Sequence, residues 1–238
     1  VDWEKGDSVV VTGTDYLPAH FDAGAIGVMA QDKLSFDTVA GMQYPHNGSR
    51  YKLDGVVPSE LGIDPKLIKN GAETRAAVAL LSRSIVIRSG GDSLGQPLCA
   101  GPGCYFGGHT LIRQGVQEAK VQGVEFALLG QGGRIGRYPV HFHMVRHAPA
   151  GTMVADSTIN ESMTRWVTLH ATQEVLLARN VGYKSIGHGY YLEDGTETEN
   201  RFFANLGVFA RAAVDNDTNP RRVPGILTAT APANQKDN

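Results

Sequence analysis

The sequence predicts an all-β protein: a parallel β-helix preceded by an irregular N-terminal β segment. Three observations carry that expectation. From about Val78 onward, short apolar runs end again and again in Gly, Asn or Asp, which is strand-and-turn composition. No segment among them has a helical period. Between residues 154 and 210 the runs recur every 22 to 25 residues or so, as when Ala155-Asp156-Ser157-Thr158 is set against Ala178-Arg179-Asn180-Val181 and then Ala204-Asn205-Leu206-Gly207. Several short strands per repeat at such a period describe a solenoid of stacked coils. A β-sandwich is the competing architecture, but sandwiches lack this internal repetition.

Residues 1–70 are expected to form the N-terminal β segment and a connector, and residues 71–238 the β-helix. Ser8 to Thr12 follows the turn-forming Lys5-Gly6-Asp7 and reads as a strand. Lys33 to Asp37 and Arg50 to Leu53 alternate in the same way. Pro58 to Asn70 is a connector with one helical turn beginning at Pro65. Gly71 to Leu81 has helix propensity through Ala72, Ala76, Ala77 and Ala79, yet it runs into the strand Ser84 to Arg88, which leaves its first part undecided. The rungs that follow are centred on Ile85–Ile87, Thr110–Ile112, Gly123–Phe126, Val140–Phe142, Ser157–Ile159, Val167–Leu169, Val175–Leu177, Gly189–Leu192 and Arg201–Phe203.

Composition narrows the partners. The 238 residues, 42% hydrophobic and 19% charged, suffice for a sizeable core, and a net charge of −2 gives no reason to expect nucleic acid or an anionic membrane surface. No apolar run reaches the roughly 18 residues of a membrane span. The opening Val1-Asp2-Trp3-Glu4 carries no basic and apolar leader, as in a mature form or an excised fragment. Cys99 and Cys104, with two glycines and a proline between them, are expected to close a small loop as a disulfide, with free thiols the alternative. Nothing indicates an oligomeric state.

The chemistry concentrates in Gly136-Arg137-Tyr138-Pro139-Val140-His141-Phe142-His143. In a strand, His141 and His143 share one face while Val140 and Phe142 share the other. Stacking Val140-His141-Phe142-His143 on Val167-Thr168-Leu169-His170 and then on Tyr190-Tyr191-Leu192-Glu193 turns the apolar residues inward. The outward column becomes His143, His170, Glu193, with His141, Thr168 and Tyr191 beside it. Three imidazoles and a carboxylate, His141, His143, His170 and Glu193, suit a divalent zinc, copper, nickel or iron ion. A slip of one residue would destroy the set. His188 sits at the rim as an acid–base candidate, and His109 is a candidate to stack one coil before His141. His147, His20 and His46 are expected at the surface. For glycoside hydrolysis, Glu193 and Asp194 are the best local acids if the strand ends there, with Asp156 and Glu125 available from neighbouring coils. Arg134 and Arg137 are placed to bind the carboxylate of an acidic sugar, with Tyr138 and Tyr191 holding the ring. Asp215-Asn216-Asp217 offers a possible calcium site.

Four motifs occur in a fixed order: Glu73-Thr74-Arg75-Ala76-Ala77-Val78-Ala79-Leu80-Leu81-Ser82-Arg83-Ser84-Ile85, Gly136 to His143, Val167-Thr168-Leu169-His170, and Ile186-Gly187-His188-Gly189-Tyr190-Tyr191-Leu192-Glu193-Asp194-Gly195. The series resembles the cell-surface and cell-migration-inducing hyaluronidases and the fibrocystin-like proteins, over nearly the whole chain. That resemblance implies a right-handed parallel β-helix following an eight-glycine domain. Trp3, Gly6-Asp7 and Thr14-Asp15-Tyr16 look like the tail of such a domain. It also implies an extracellular, periplasmic or cell-surface protein that acts on or binds a glycan, with hyaluronan the substrate class. Gly189 replaces the cysteine of vertebrate-type members, which makes this similar to a bacterial-type member. Two function classes follow: a secreted enzyme cleaving an acidic polysaccharide at the His/Glu patch, or a non-catalytic glycan-binding or adhesion coil with a structural metal or none.

Overall fold

The computed structural model describes residues 2–51, 72–90, 105–132 and 134–211, and among these no helix occurs. Cys99, Cys104, the turn at Pro65 and Asp215-Asn216-Asp217 lie outside the described residues. The chain divides into two compact units, Val1–Leu80 and Leu81–Asn238.

The first unit is antiparallel. Strand β1 (Ser8–Val11) lies between β2 (Asp22–Met29) and β6 (Val78–Leu80), and β3 (Phe36–Thr38) pairs with the far side of β2. Strands β4 (Arg50–Tyr51) and β5 (Ala72–Glu73) form a separate pair. The alanine-rich stretch with helix propensity is therefore extended: Val9 pairs with Leu80 and Val11 with Val78. Val9, Val10 and Ile26 are buried here, and pairing that buries apolar side chains outweighs a local preference of under about 1 kcal/mol per residue.

The second unit is the parallel β-solenoid the repeats predict. One sheet stacks β7 (Ile85–Arg88), β10 (Val124–Ala127), β13 (Thr158–Ser162), β16 (Val181–Ile186) and β19 (Leu206–Arg211). A second stacks β8 (Thr110–Arg113), β11 (Val140–His147), β14 (Val167–Gln173) and β17 (Tyr190–Leu192). A third stacks β9 (Lys120–Gln122), β12 (Met153–Ala155), β15 (Leu176–Ala178) and β18 (Arg201–Phe203). Val154 pairs with Leu177 and Leu177 with Phe202, coil lengths of 23 and 25 residues.

Inside, like stacks on like. Phe126 lies beside Ile159, Val140 beside Val167 and Phe142 beside Leu169, all buried. Truncating such a side chain to alanine costs about 2–5 kcal/mol. Asparagines knit the corner between the third and first sheets. Asn180 accepts from Ser157 N (3.1 Å) and donates to Val154 O (2.8 Å) and Asn205 Oδ1 (3.0 Å), while Asn205 donates to Leu177 O (2.8 Å). The Trp166 indole fills the slot above Gly182 and Gly189, where a Cβ would meet the ring carbons in steric conflict. That close approach explains the glycine at position 189.

Candidate metal centre

The site lies on the outer face of the sheet formed by β8, β11, β14 and β17. The register is the one the apolar alternation predicts: His141 pairs with Thr168, His143 with His170, and Thr168 with Tyr191. Each histidine strand is then turned by a left-handed residue, Met144 (φ 52) after His143 and Ala171 (φ 44) after His170. The Ala171 N–H donates to Glu197 Oε1 at 2.7 Å, so the buried Glu197 carboxylate secures the corner beside His170.

The three imidazoles place one nitrogen each within 4.8 Å of one another, close enough to hold a metal ion. His143 Nδ1 faces His170 Nδ1 at 3.1 Å. The His141 ring stacks parallel to that of His170, centroids 6.2 Å apart. His141 faces the same side as His143 but is not open to solvent: it is 1% exposed. The Tyr138 ring covers it at 4.9 Å, and the turn at Gly136 (φ 81) brings a carbonyl to within 3.0 Å of its Nδ1. Nδ1 is thus the protonated nitrogen, and Nε2 is left with a lone pair and no hydrogen-bond partner. Burial lowers the His141 pKa from 6.5 to about 4, against the raising effect of the Gly136 bond, and burial together with His170 lowers that of His143. Both rings are neutral near pH 7, the state a metal requires.

The donor set fits a metal by its outer contacts also. A metal-bound imidazole usually hands its other N–H to a carbonyl or carboxylate. His141 has Gly136 O in that role, and Asp194 Oδ2 lies 3.2 Å from His170 Nε2. Strand β17 ends at Leu192, which lets Glu193 and Asp194 approach opposite nitrogens of His170, Glu193 Oε2 standing 3.7 Å from Nδ1. Glu193 Oε2 is buried and without a hydrogen-bond partner. Glu193 Oε1 accepts from the Tyr138 hydroxyl at 3.0 Å and lies 3.3 Å from Arg165 Nη1.

Arg165 is the central residue that sequence reasoning missed. Its guanidinium lies between the rings of Tyr138 (4.4 Å) and Tyr191 (3.7 Å), and the Tyr191 ring in turn lies 4.6 Å from that of His188. A signal for it exists. Tyr138, Arg165 and His188 each stand two residues before the paired Val140, Val167 and Tyr190, so carrying the same alignment upstream stacks all three.

The remaining candidates differ in their surroundings. Tyr138 is 1% exposed and spends its hydroxyl on Glu193, so it supports the site from beneath and offers no face to a sugar. Arg137 and Arg134 are both exposed: Arg137 Nη1 donates to His109 Nε2 at 2.9 Å, and Arg134 lies against Phe106 and Gln131. Leu111, not His109, pairs with His141, and Arg113 pairs with His143. Among the described residues no ion pair engages the exposed Arg113 guanidinium, one rung from the imidazoles. Glu125 and Asp156 sit away from this sheet, held by Asn160 and by Arg179. His147 is exposed and pairs with Glu174, and His20 pairs with the exposed Asp15. His46, expected at the surface, is largely covered and bonds Asp22 and Thr12 O, both at 2.8 Å.

A family model described as CEMIP beta-helix matches residues 105–237. The chain is 30% identical over 227 residues to the cell surface hyaluronidase CEMIP2 of Homo sapiens, covering 88% of this chain and 14% of that protein. It is 30% identical over 222 residues to a cell surface hyaluronidase of Danio rerio, 88% and 15% of the two chains. A G8 domain-containing protein of Dictyostelium discoideum is 32% identical over 212 residues, 88% and 12%. The chain therefore spans less than a fifth of the length of these relatives.

Proposed function

We propose, given that this chain belongs to the CEMIP beta-helix family, that it is an extracellular protein that cleaves an acidic, hyaluronan-like polysaccharide at the three-histidine site, with a divalent transition metal bound there. The observation that carries this reading is the convergence of three imidazoles: His141 and His170 have their outer nitrogens facing oxygen acceptors, and the inner nitrogen of His141 is buried without a hydrogen-bond partner. The hyaluronidase names of the relatives support the substrate class.

His141 Nε2, His143 Nδ1 and His170 Nδ1 are the nitrogens that would hold the ion, with Glu193 Oε2 as fourth donor. A bound ion of this class supplies Lewis acidity and lowers the pKa of a coordinated water. Asp194, with 40% of its side chain exposed, is the carboxylate able to meet a glycosidic oxygen and hold or release a proton. Glu193 is not, since its side chain is 4% exposed and fixed by Tyr138 and Arg165. His188 and Tyr191, part-buried with rings 4.6 Å apart, are the remaining acid–base and sugar-contacting candidates. Arg113 replaces Arg134 and Arg137 as the cation best placed for a uronate carboxylate, which a guanidinium grips in two-point fashion.

A second reading, a glycan-binding coil with a structural metal, is favoured by the burial of His141 and of the Glu193 side chain, because structural sites are closed. Elemental analysis combined with turnover of hyaluronan, chondroitin, pectin and alginate separates the two. The cleavage reading expects one equivalent of metal and chain scission, with His143→Ala and His170→Ala losing both by more than about the tenfold to hundredfold that outer contacts are worth. Metal with retained glycan but no scission supports the binding coil. Absence of metal, with scission untouched in His143→Ala, ends the metal reading.

A further inference from the structure

We infer that Arg165 and Tyr138 are positioning residues: they hold one oxygen of Glu193 so that the other is presented to the imidazoles as the fourth metal donor. The inference rests on the metal reading above and deepens it.

A glutamate three bonds from its backbone has rotamers to spare, and a lone carboxylate near three imidazoles has no reason to turn either oxygen to them. Here the choice is made for it. Oε1 is engaged twice, by the Tyr138 hydroxyl at 3.0 Å and by Arg165 Nη1 at 3.3 Å. Oε2 is buried with no hydrogen-bond partner and stands on the imidazole side, 3.7 Å from His170 Nδ1. A buried carboxylate oxygen left without a donor is unfavourable by itself. It becomes reasonable where a cation is its intended partner.

The clamp is built to stay in place. The Arg165 guanidinium is sandwiched between two aromatic faces and its side chain is 3% exposed. Its own backbone is tied down where Ser162 Oγ donates to Arg165 O at 2.5 Å. Tyr138 serves twice, covering the His141 ring with its edge and Glu193 with its hydroxyl. One tyrosine therefore fixes two donors on different coils. Such outer contacts typically contribute 10–100-fold to metal affinity, about the effect expected here.

Zinc affinity by chelator competition, the visible spectrum of the cobalt(II) form, and the metal-free thermal midpoint test this in wild type, Tyr138→Phe, Arg165→Lys, Glu193→Gln and the double variant Tyr138→Phe/Glu193→Gln. Tyr138→Phe removes only the hydroxyl, and it should weaken zinc about tenfold and alter the cobalt spectrum, while the metal-free midpoint falls only by the few degrees that one buried hydrogen bond is worth. Arg165→Lys should lose more; should it fail to fold, Tyr138→Phe carries the test. With Glu193 already replaced, Tyr138→Phe should have no further effect on affinity, since its action passes through that carboxylate. Wild-type affinity in Tyr138→Phe, or a full additional loss in the double variant, overturns the positioning role while leaving the metal site intact. A wild-type protein that takes up neither zinc nor cobalt overturns both.

Discussion

His141 shows how one residue can be legible in type and not in state. Alternation places its side chain on the histidine face, but alternation says nothing about what covers that face. The cover comes from Gly136 and Tyr138, a turn whose path depends on a left-handed glycine. Burial then holds the ring neutral down to about pH 4 against an ordinary 6.5. The sign follows from linkage. Between those two values the unfolded chain binds a proton that the folded chain refuses, so stability is complete above pH 6.5 and falls as pH drops toward 4. A displacement of that size corresponds to about 3 kcal/mol. His143 shifts the same way and adds to the loss. Urea unfolding with a chelator present, from pH 7 to 4.5, should show this decline, and His141→Gln, which cannot titrate, should flatten much of it. An equally steep decline in His141→Gln would mean that another group sets the acid limb.

Among elements, the solenoid's strands were legible where both faces of the pattern agree. Val140 and Phe142 over Val167 and Leu169 admit only one register, because a slip of one residue would turn both apolar side chains of one strand outward. Strand β2 was not, since Ala23, Gly24, Ala25 and Gly27 lack the branched and aromatic residues that mark strands. Arg165 was missed for another reason: it precedes its strand, where no alternation assigns it a side. The asparagine corner was half legible, as Asn180-Val181-Gly182 repeats in Asn205-Leu206-Gly207, though only the structure shows the amides bridging coils. It yields a prediction at this scale. Asn180→Ala strands Ser157 N and Val154 O in a buried place and removes the link to Asn205, so equilibrium unfolding should show a loss of about 3 kcal/mol, at 1–3 kcal/mol per orphaned group. A loss under about 0.5 kcal/mol would show that water replaces the amide there.

At the scale of the whole chain, the candidate ligands fall on three successive coils: His141 and His143 on β11, His170 on β14, and Glu193 just past β17. In a solenoid each coil is held chiefly by its neighbours, so a ligand shared by consecutive coils acts as a staple along the stack. An ion that binds only the folded site adds about 2.7 kcal/mol at a free concentration a hundred times its dissociation constant, which is about a hundredfold in any opening that breaks the site. The first unit, Val1–Leu80, contributes none of these donors. Hydrogen exchange with and without zinc should therefore slow in β11, β14 and β17 by up to that factor, and leave β1, β2 and β3 at their metal-free rates. Equal protection of both units would show that the chain opens as one cooperative body. No protection at all, with zinc bound, would show that the ion sits on the surface and staples nothing.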